Sequence, residues 1–262
     1  MFWRDLELIR TTNPLVLNVT NYVVANTTAN ALLALGASPI MSFAKEEVTE
    51  LVGLSDALVV NVGTLNTSDI DVMSGAWRAA NKQGIPVILD PVGAGASRLR
   101  IDTPLSMLSR YRPTCIRGNA SEVMTLAGEA GEAKGVDSTR STDSAVIGAK
   151  ALAQVYNCVV CASGEDDVVT DGSTVYRVKG GHGMMPRITG LGCTATALCA
   201  AFSGVNKEPL LAIVHGMVAM AIAGKIAGDK ADGPGTLQLH LYDALYSMQK
   251  DDVERLFAVE KL

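Results

Sequence analysis

The sequence predicts an α/β fold, a three-layer αβα sandwich around a mainly parallel central sheet. Three observations predict it. The apolar runs are short and continuous rather than alternating, as in Ala57-Leu58-Val59-Val60 and Ile85-Pro86-Val87-Ile88-Leu89, which suits strands buried on both faces. Stretches of helical pattern separate these runs, the order of βαβ units. Each run also gives way to a small polar or glycine-bearing loop, where open parallel sheets bind their ligands.

The elements follow in order. Leu15-Val16-Leu17 is a short apolar run, followed by polar 18–21 and a helical stretch that ends at Leu35-Gly36. Ala57–Val60 is a strand. Ser68 to Lys82 is a helix that Thr67-Ser68 can cap and Gly84 can end. Ile85–Leu89 is the next strand, and Thr114-Cys115-Ile116 a shorter one before a helix over 120–126. A helix over 144–156 precedes the strand 158–162. Asp167–Thr170 and Thr174–Val178, joined by Asp171-Gly172, read as a hairpin. Beyond Gly192 the pattern is helical, over 195–202, 209–227 and 236–248. Residues 128–135, rich in Gly, Ala and Glu, read as a surface loop. No linker or repeat divides the chain, so 1–262 reads as a single domain.

Composition narrows the function classes. Apolar residues make up 48% of the 262 and charged residues 19%, enough for a large core and too little charge for a disordered chain. The net charge of −5 and the lack of a basic block argue against a nucleic-acid partner. The first residues, Met1 to Glu7, mix charges with apolar side chains and show no signal-peptide pattern. The most apolar stretch, 210–224, is shorter than the ~18–20 residues of a membrane span, so a buried helix of a soluble, cytoplasmic protein is expected.

Five cysteines, an odd number, do not suggest a disulfide framework. Cys158 and Cys161 form a CxxC, but on a strand that spacing sends the two thiols to opposite faces. His215 and His240 fall on helices and read as structural, while His182 lies in a glycine-rich loop. No His, Cys and carboxylate spacing suggests zinc. The run Glu165-Asp166-Asp167 reads as solvated turn charge.

The loops after the strands carry the chemistry. They contain Asn18 to Asn21, Asn61-Val62-Gly63-Thr64, Asp90-Pro91-Val92-Gly93-Ala94-Gly95, Arg117 to Glu122 and Ser163-Gly164-Glu165-Asp166. Together they line one edge with hydrogen-bonding groups, carboxylates and one arginine. The strongest local signal is Thr189-Gly190-Leu191-Gly192-Cys193. Two glycines let backbone N–H groups approach an anion, and a helix starts there with its positive end toward it. Its match to GxGxxG/A lacks the following strand and acidic residue of a dinucleotide site. A thiol at Cys193, in the first helical turn, can have a depressed pKa.

Taken in order, Thr20-Asn21-Tyr22-Val23, Gly36-Ala37-Ser38-Pro39-Ile40-Met41, Asn61-Val62-Gly63-Thr64-Leu65, Asp90 to Gly95, Arg117 to Glu122 and Thr189 to Cys193 resemble the hydroxyethylthiazole kinases, thiamin-salvage enzymes of the ribokinase-like superfamily. The likeness runs from about Pro14 to Met248. It implies a ribokinase-like fold and phosphorylation of the primary alcohol of 4-methyl-5-(2-hydroxyethyl)thiazole by ATP with Mg²⁺. It also implies a homotrimer with thiazole sites between subunits. By the same resemblance Asn21, Met41, Gly63 and Gly190 contact the thiazole. Arg117 and Ser163 contact ATP, with Ser163 where the family usually has Thr, and Asp90 and Glu122 lie near Mg²⁺. The Gly190–Gly192 turn and the helix start would act as an anion hole for the transferring phosphoryl group, with Cys193 as the third catalytic position. Cys193 stands where ribokinase-like enzymes generally place an aspartate base, which marks this subfamily and makes strong base catalysis doubtful. Two other readings fit the residues: a kinase for another small heteroaromatic alcohol, and a non-catalytic thiazole-binding protein.

Overall fold

The computed structural model describes residues 1–129 and 142–262. Of the expected surface loop over 128–135, Gly128 and Glu129 close a helix, and the remainder lies outside the described residues. The first half of the chain alternates helices and strands: α1 Phe2–Thr12, β1 Leu15–Val19, α2 Ala25–Leu35, β2 Ser38–Met41, α3 Val48–Leu54, β3 Ala57–Asn61, α4 Thr67–Gln83, β4 Val87–Asp90, α5 Arg98–Leu108, β5 Cys115–Asn119 and α6 Ala120–Glu129. After them come α7 Thr142–Tyr156, β6 Val159–Ser163, β7 Asp167–Thr170, β8 Val175–Val178, α8 Leu191–Val205, α9 Pro209–Lys230, α10 Pro234–Ser247, α11 Lys250–Leu256 and β9 Val259–Lys261.

The strands form one sheet in the order β2-β1-β3-β4-β5-β6-β7-β8-β9. Its first six strands are parallel, and the β7–β8 hairpin and β9 add antiparallel strands at one side. The fold is therefore the expected αβα sandwich. Val16, Val59, Ile88, Cys115 and Cys161 face α1, α2, α8, α9 and α10 in one apolar layer. Leu17, Leu58, Val60, Leu89, Ile116 and Val160 face α3 to α7 in the other. Because β1 lies between β2 and β3, the chain reverses its direction of travel there. That reversal opens a crevice at the carboxyl ends of β1 and β3.

Several boundaries differ from expectation for physical reasons. β5 runs on through Arg117-Gly118-Asn119 because these residues pair with Cys161, Ala162 and Ser163 of β6. Glu122 thus stands three residues beyond its strand, and Asp90 is the last residue of β4 itself. The cap of α4 is Asn66, whose side chain accepts from the Asp69 N–H at 3.0 Å, not Thr67-Ser68. Gly84 ends that helix in the left-handed conformation, as read. β2 escaped notice because it is a four-residue edge strand containing Pro39, which an edge tolerates. α5 escaped notice because Pro104 sits inside it, and α3 and α11 are only seven residues long.

The apolar stretch near the carboxyl end belongs to a longer helix than expected. α9 has 22 residues and is long and apolar enough to cross a membrane, but its side chains from Ala212 to Gly228 are mostly packed inside the layer it shares with α8 and α10. Cys158 and Cys161 fall in opposite cores, so the CxxC does not converge. His215 is buried and bonds through Nδ1 to Asp5 at 2.8 Å, a staple between α9 and α1.

Candidate active site

Five strand ends and one helix start build the site. Asn21 follows β1, Asn61 ends β3, Asp90 ends β4, Arg117 lies in β5, Ser163 ends β6 and Gly190 caps α8. All of them sit at the carboxyl edge of the parallel strands. The polar side chains that ruin a strand's apolar run are those that the edge needs.

A buried chain of hydrogen bonds joins them. Asn21 Nδ2 donates to Asn61 Oδ1 at 2.8 Å, and Asn61 Nδ2 donates to Asp90 Oδ2 at 2.8 Å. Thr196 Oγ1, on α8, donates to the same Asp90 oxygen at 2.8 Å. Asn21 Nδ2 also reaches Cys193 Sγ at 3.5 Å. Gly63 has no room for a side chain, since a Cβ there would lie 2.5 Å from Asn21 Nδ2. Arg100 donates to the carbonyls of Val62, Gly63 and Val92, tying the loops after β3 and β4 together.

The anion side is built from Arg117 and the start of α8. Gly190 adopts φ 83°, a left-handed conformation suited to glycine, and a Cβ there would run into Val24 Cγ1. Helix geometry leaves the first amides after it without intrahelical carbonyl partners. The Arg117 guanidinium packs against this turn: a Cβ on Gly192 would sit 2.9 Å from Arg117 Nη1. Arg117 Nη2 donates to Ser163 Oγ at 2.7 Å, while its buried Nε has no partner. A buried cation beside free backbone amides is an arrangement that can accept a phosphate.

Burial sets the titration of the groups here. It pushes the Asp90 carboxyl up to about 6, although Arg117 and the Thr196 bond pull the other way, and Glu122 adds to the rise. Burial also pushes the Cys193 thiol up to about 12, with the Asp90 charge adding to it. The expected depression at the helix start is thus reversed, because desolvation and a neighbouring carboxylate outweigh the helix terminus. Asp167, read from sequence as solvated turn charge, instead accepts from the Gly164 N–H at 3.2 Å. Burial raises its carboxyl to about 6, and the nearby Arg117 charge opposes that rise.

Comparison with known proteins identifies the family. The hydroxyethylthiazole kinase family matches residues 6–251. The chain belongs to that family. A hydroxyethylthiazole kinase of Nitratidesulfovibrio vulgaris is 51% identical over 251 residues, which cover 96% of this chain and 94% of that protein. The solved hydroxyethylthiazole kinase of Pyrococcus horikoshii superposes with a TM-score of 0.93 at 39% identity, covering 100% of this chain and 98% of that one. A Staphylococcus aureus pyridoxal kinase, solved with pyridoxal, shares the fold at a TM-score of 0.66 and 17% identity, covering 95% of this chain and 98% of its own.

In this hydroxyethylthiazole kinase family member, Asn21, Gly63, Asp90, Arg117, Ser163, Gly190, Gly192 and Cys193 come together at one edge. Met41 lies at the end of β2, half-buried, in register with Asn18 of β1. Glu122 is placed by its own helix. Its Oε2 accepts from the Asn119 N–H at 2.7 Å while Asn119 Oδ1 accepts from the Glu122 N–H, a capping box at the start of α6. Its Oε1 takes the Gly93 N–H at 2.7 Å, so Glu122 also holds the loop after Asp90. Sequence reasoning missed Asn61, Thr196, Arg100 and Asp167. Asn61 stood within a quoted motif and carried a signal, a polar residue closing an apolar strand. The other three carried none before their contacts were seen.

Proposed function

We propose that this chain transfers the terminal phosphoryl group of ATP to the primary alcohol of 4-methyl-5-(2-hydroxyethyl)thiazole, in thiamin salvage. Family membership over nearly the whole chain supports the chemistry. The single observation that carries the site assignment is the convergence of Arg117 and the α8 start on the same strand edge as Asn21 and Gly63. Phosphoryl transfer needs positioning and charge neutralisation more than covalent help. Arg117 and Ser163 would hold ATP phosphates, and the α8 amides would meet the charge on the transferring group. Asn21, Gly63 and Met41 would seat the thiazole, with the soft Met41 against its ring. We read 1–262 as one kinase domain.

Asp90 and Glu122 are a fitting pair for Mg²⁺. They are close enough that the Glu122 charge raises the Asp90 carboxyl, and each oxygen that accepts one N–H keeps a further lone pair. Two carboxylates suit an ion that keeps most of its waters and shares phosphate oxygens. When bound it supplies neutralisation of phosphate charge. Among the described residues no cluster of three or more His, Cys, Asp or Glu side chains could hold a metal instead.

Exposed Tyr22 and Val23, beside Asn21, support the reading of a homotrimer with thiazole sites between subunits, a mass that sedimentation reads directly. Five free cysteines, four of them buried, support a reducing, cytoplasmic setting. The acidic balance supports partners limited to small molecules, with neither nucleic acid nor membrane among them.

The deciding test is coupled ADP release with the hydroxyethylthiazole, with and without Mg²⁺, and with pyridoxal as the comparison alcohol. Thiazole- and Mg²⁺-dependent turnover is expected; binding of the thiazole with no ATP turnover would refute it. A second expectation concerns Cys193. A thiol at about 12 is protonated at neutral pH and is no base. Cys193→Ala is therefore expected to keep kcat within about tenfold, whereas loss of a general base removes roughly 10²–10⁴. Steady-state kinetics separates these cases.

A further inference from the structure

We propose that Asn61 is a positioning residue that couples the thiazole-binding amide of Asn21 to the carboxylate of Asp90. The proposal rests on the roles given above to Asn21 and Asp90. Asn61 and Asp90 are the final residues of neighbouring parallel strands and are register partners, so their side chains leave the sheet on the same face, side by side. Each is 1% exposed. Asn61 Oδ1 accepts twice, from Asn21 Nδ2 at 2.8 Å and from the Gly63 N–H at 3.0 Å. Asn61 Nδ2 donates to Asp90 Oδ2 at 2.8 Å.

The three partners fix one orientation of this amide. A flipped Asn61 would set its N–H groups against two donors and its oxygen against a carboxylate. The fixed amide in turn fixes its neighbours. Asn21 must present Nδ2 to Asn61, and its Oδ1 then accepts the Val23 N–H at 3.1 Å. Asp90 takes Asn61 and Thr196 on Oδ2 alone, so Oδ1 carries neither bond. This side chain spans the crevice between β1 and β3. It sets the amide orientation of Asn21 at the alcohol site and the carboxylate orientation of Asp90 at the phosphoryl site at once.

The test is calorimetric binding of 4-methyl-5-(2-hydroxyethyl)thiazole to the full chain without nucleotide, combined with kinetics. Asn61→Ala is expected to weaken thiazole binding about tenfold, the scale of losing a fixed hydrogen-bond partner. In an Asn21→Ala background the same change is expected to matter less than twofold, because the link is already gone. Affinity for a non-hydrolysable ATP analogue is expected to stay within about twofold. Asn61→Asp keeps the shape and both acceptor bonds but sets a second carboxylate against Asp90 in place of the amide donor, so the two must share one proton and Asp90 is no longer an independent carboxylate. It is expected to hold thiazole affinity within about threefold while kcat falls at least tenfold, a split that a merely structural role would not give. Equal weakening in both backgrounds, parallel loss of nucleotide affinity, or a native kcat in Asn61→Asp would each overturn the role of Asn61. A native chain that takes up no thiazole would instead overturn the substrate reading.

Discussion

Replacing Arg117 by methionine is expected to abolish detectable turnover and to lower stability by about 2–3 kcal/mol, somewhat below the loss from breaking a contacting buried ion pair. Arg117 is 6% exposed. Burial by itself would lower its guanidinium, but nearby negative charge, that of Asp90 foremost and Asp167 with it, outweighs that and raises it. Without the cation, buried Asp90 and half-buried Asp167 both lose the positive charge that opposes the rise of their carboxyls. Arg117→Lys keeps the charge and so is expected to recover most of the stability. It loses the fork that reaches Ser163, and lysine cannot grip phosphate in the same planar way. Its KM for ATP is expected to rise about 10- to 100-fold, the value of one charge-assisted hydrogen bond. Denaturant melts and ATP kinetics on the two variants read these effects separately. Native ATP affinity in the lysine variant would remove Arg117 from the nucleotide site.

Asp90→Asn is expected to lose activity and gain relative stability at alkaline pH. On activity, removal of one preorganised electrostatic group from such a site lowers kcat on the order of 100-fold or more. On stability, the folded carboxyl lies at about 6 against an ordinary value of 3.8. The folded chain therefore binds this proton more tightly than the unfolded chain does. The stability that this proton brings is complete below about pH 4 and is lost as pH rises through 6. The full loss is roughly 3 kcal/mol, at 1.36 kcal/mol for each tenfold step. Asparagine does not titrate, and its oxygen can still accept from Asn61 and Thr196. The variant is therefore expected to gain on the native protein between pH 4 and pH 8, because Asp167 is common to both and cancels. Paired thermal melts at those two pH values measure it, and a constant difference would show that Asp90 ionises without burden. A gain in the variant would show that the native carboxylate weakens the fold that carries it, an exchange of stability for activity.

Much of the architecture was legible because its signals are local. Continuous apolar runs marked β3 and β4, Gly84 marked the end of α4, and Asp171-Gly172 marked the hairpin. Illegible elements lacked such signals: β2 carries a proline, α5 has one inside it, and β9 has three residues. The same division holds in the site. Gly190 and Gly192 were readable as a cradle because glycine beside a helix start has a backbone meaning. Thr196 was not, since a threonine within an apolar helix becomes informative only once Asp90 is seen against it. Cys193 was located correctly and given the wrong sense of titration. Its position on α8 is a local property, whereas its burial beside Asp90 depends on a strand about a hundred residues earlier in the chain.

That long reach bears on how the chain comes to work during synthesis. The bond between Asn21 and Cys193 joins residues 172 apart, and the bond between Thr196 and Asp90 joins residues 106 apart. Nothing shorter than a chain that has emerged past α8 can close either one. Because domains fold as units, the site is expected to close only after that length of chain has been made. On the proposed site assignment, a thiazole alcohol bound across β1, β3 and α8 would act as a staple on the whole fold. At a hundred times its dissociation constant it would add about 2.7 kcal/mol to stability. The supply of substrate would then govern how long each copy of the enzyme survives, as well as how fast it turns over.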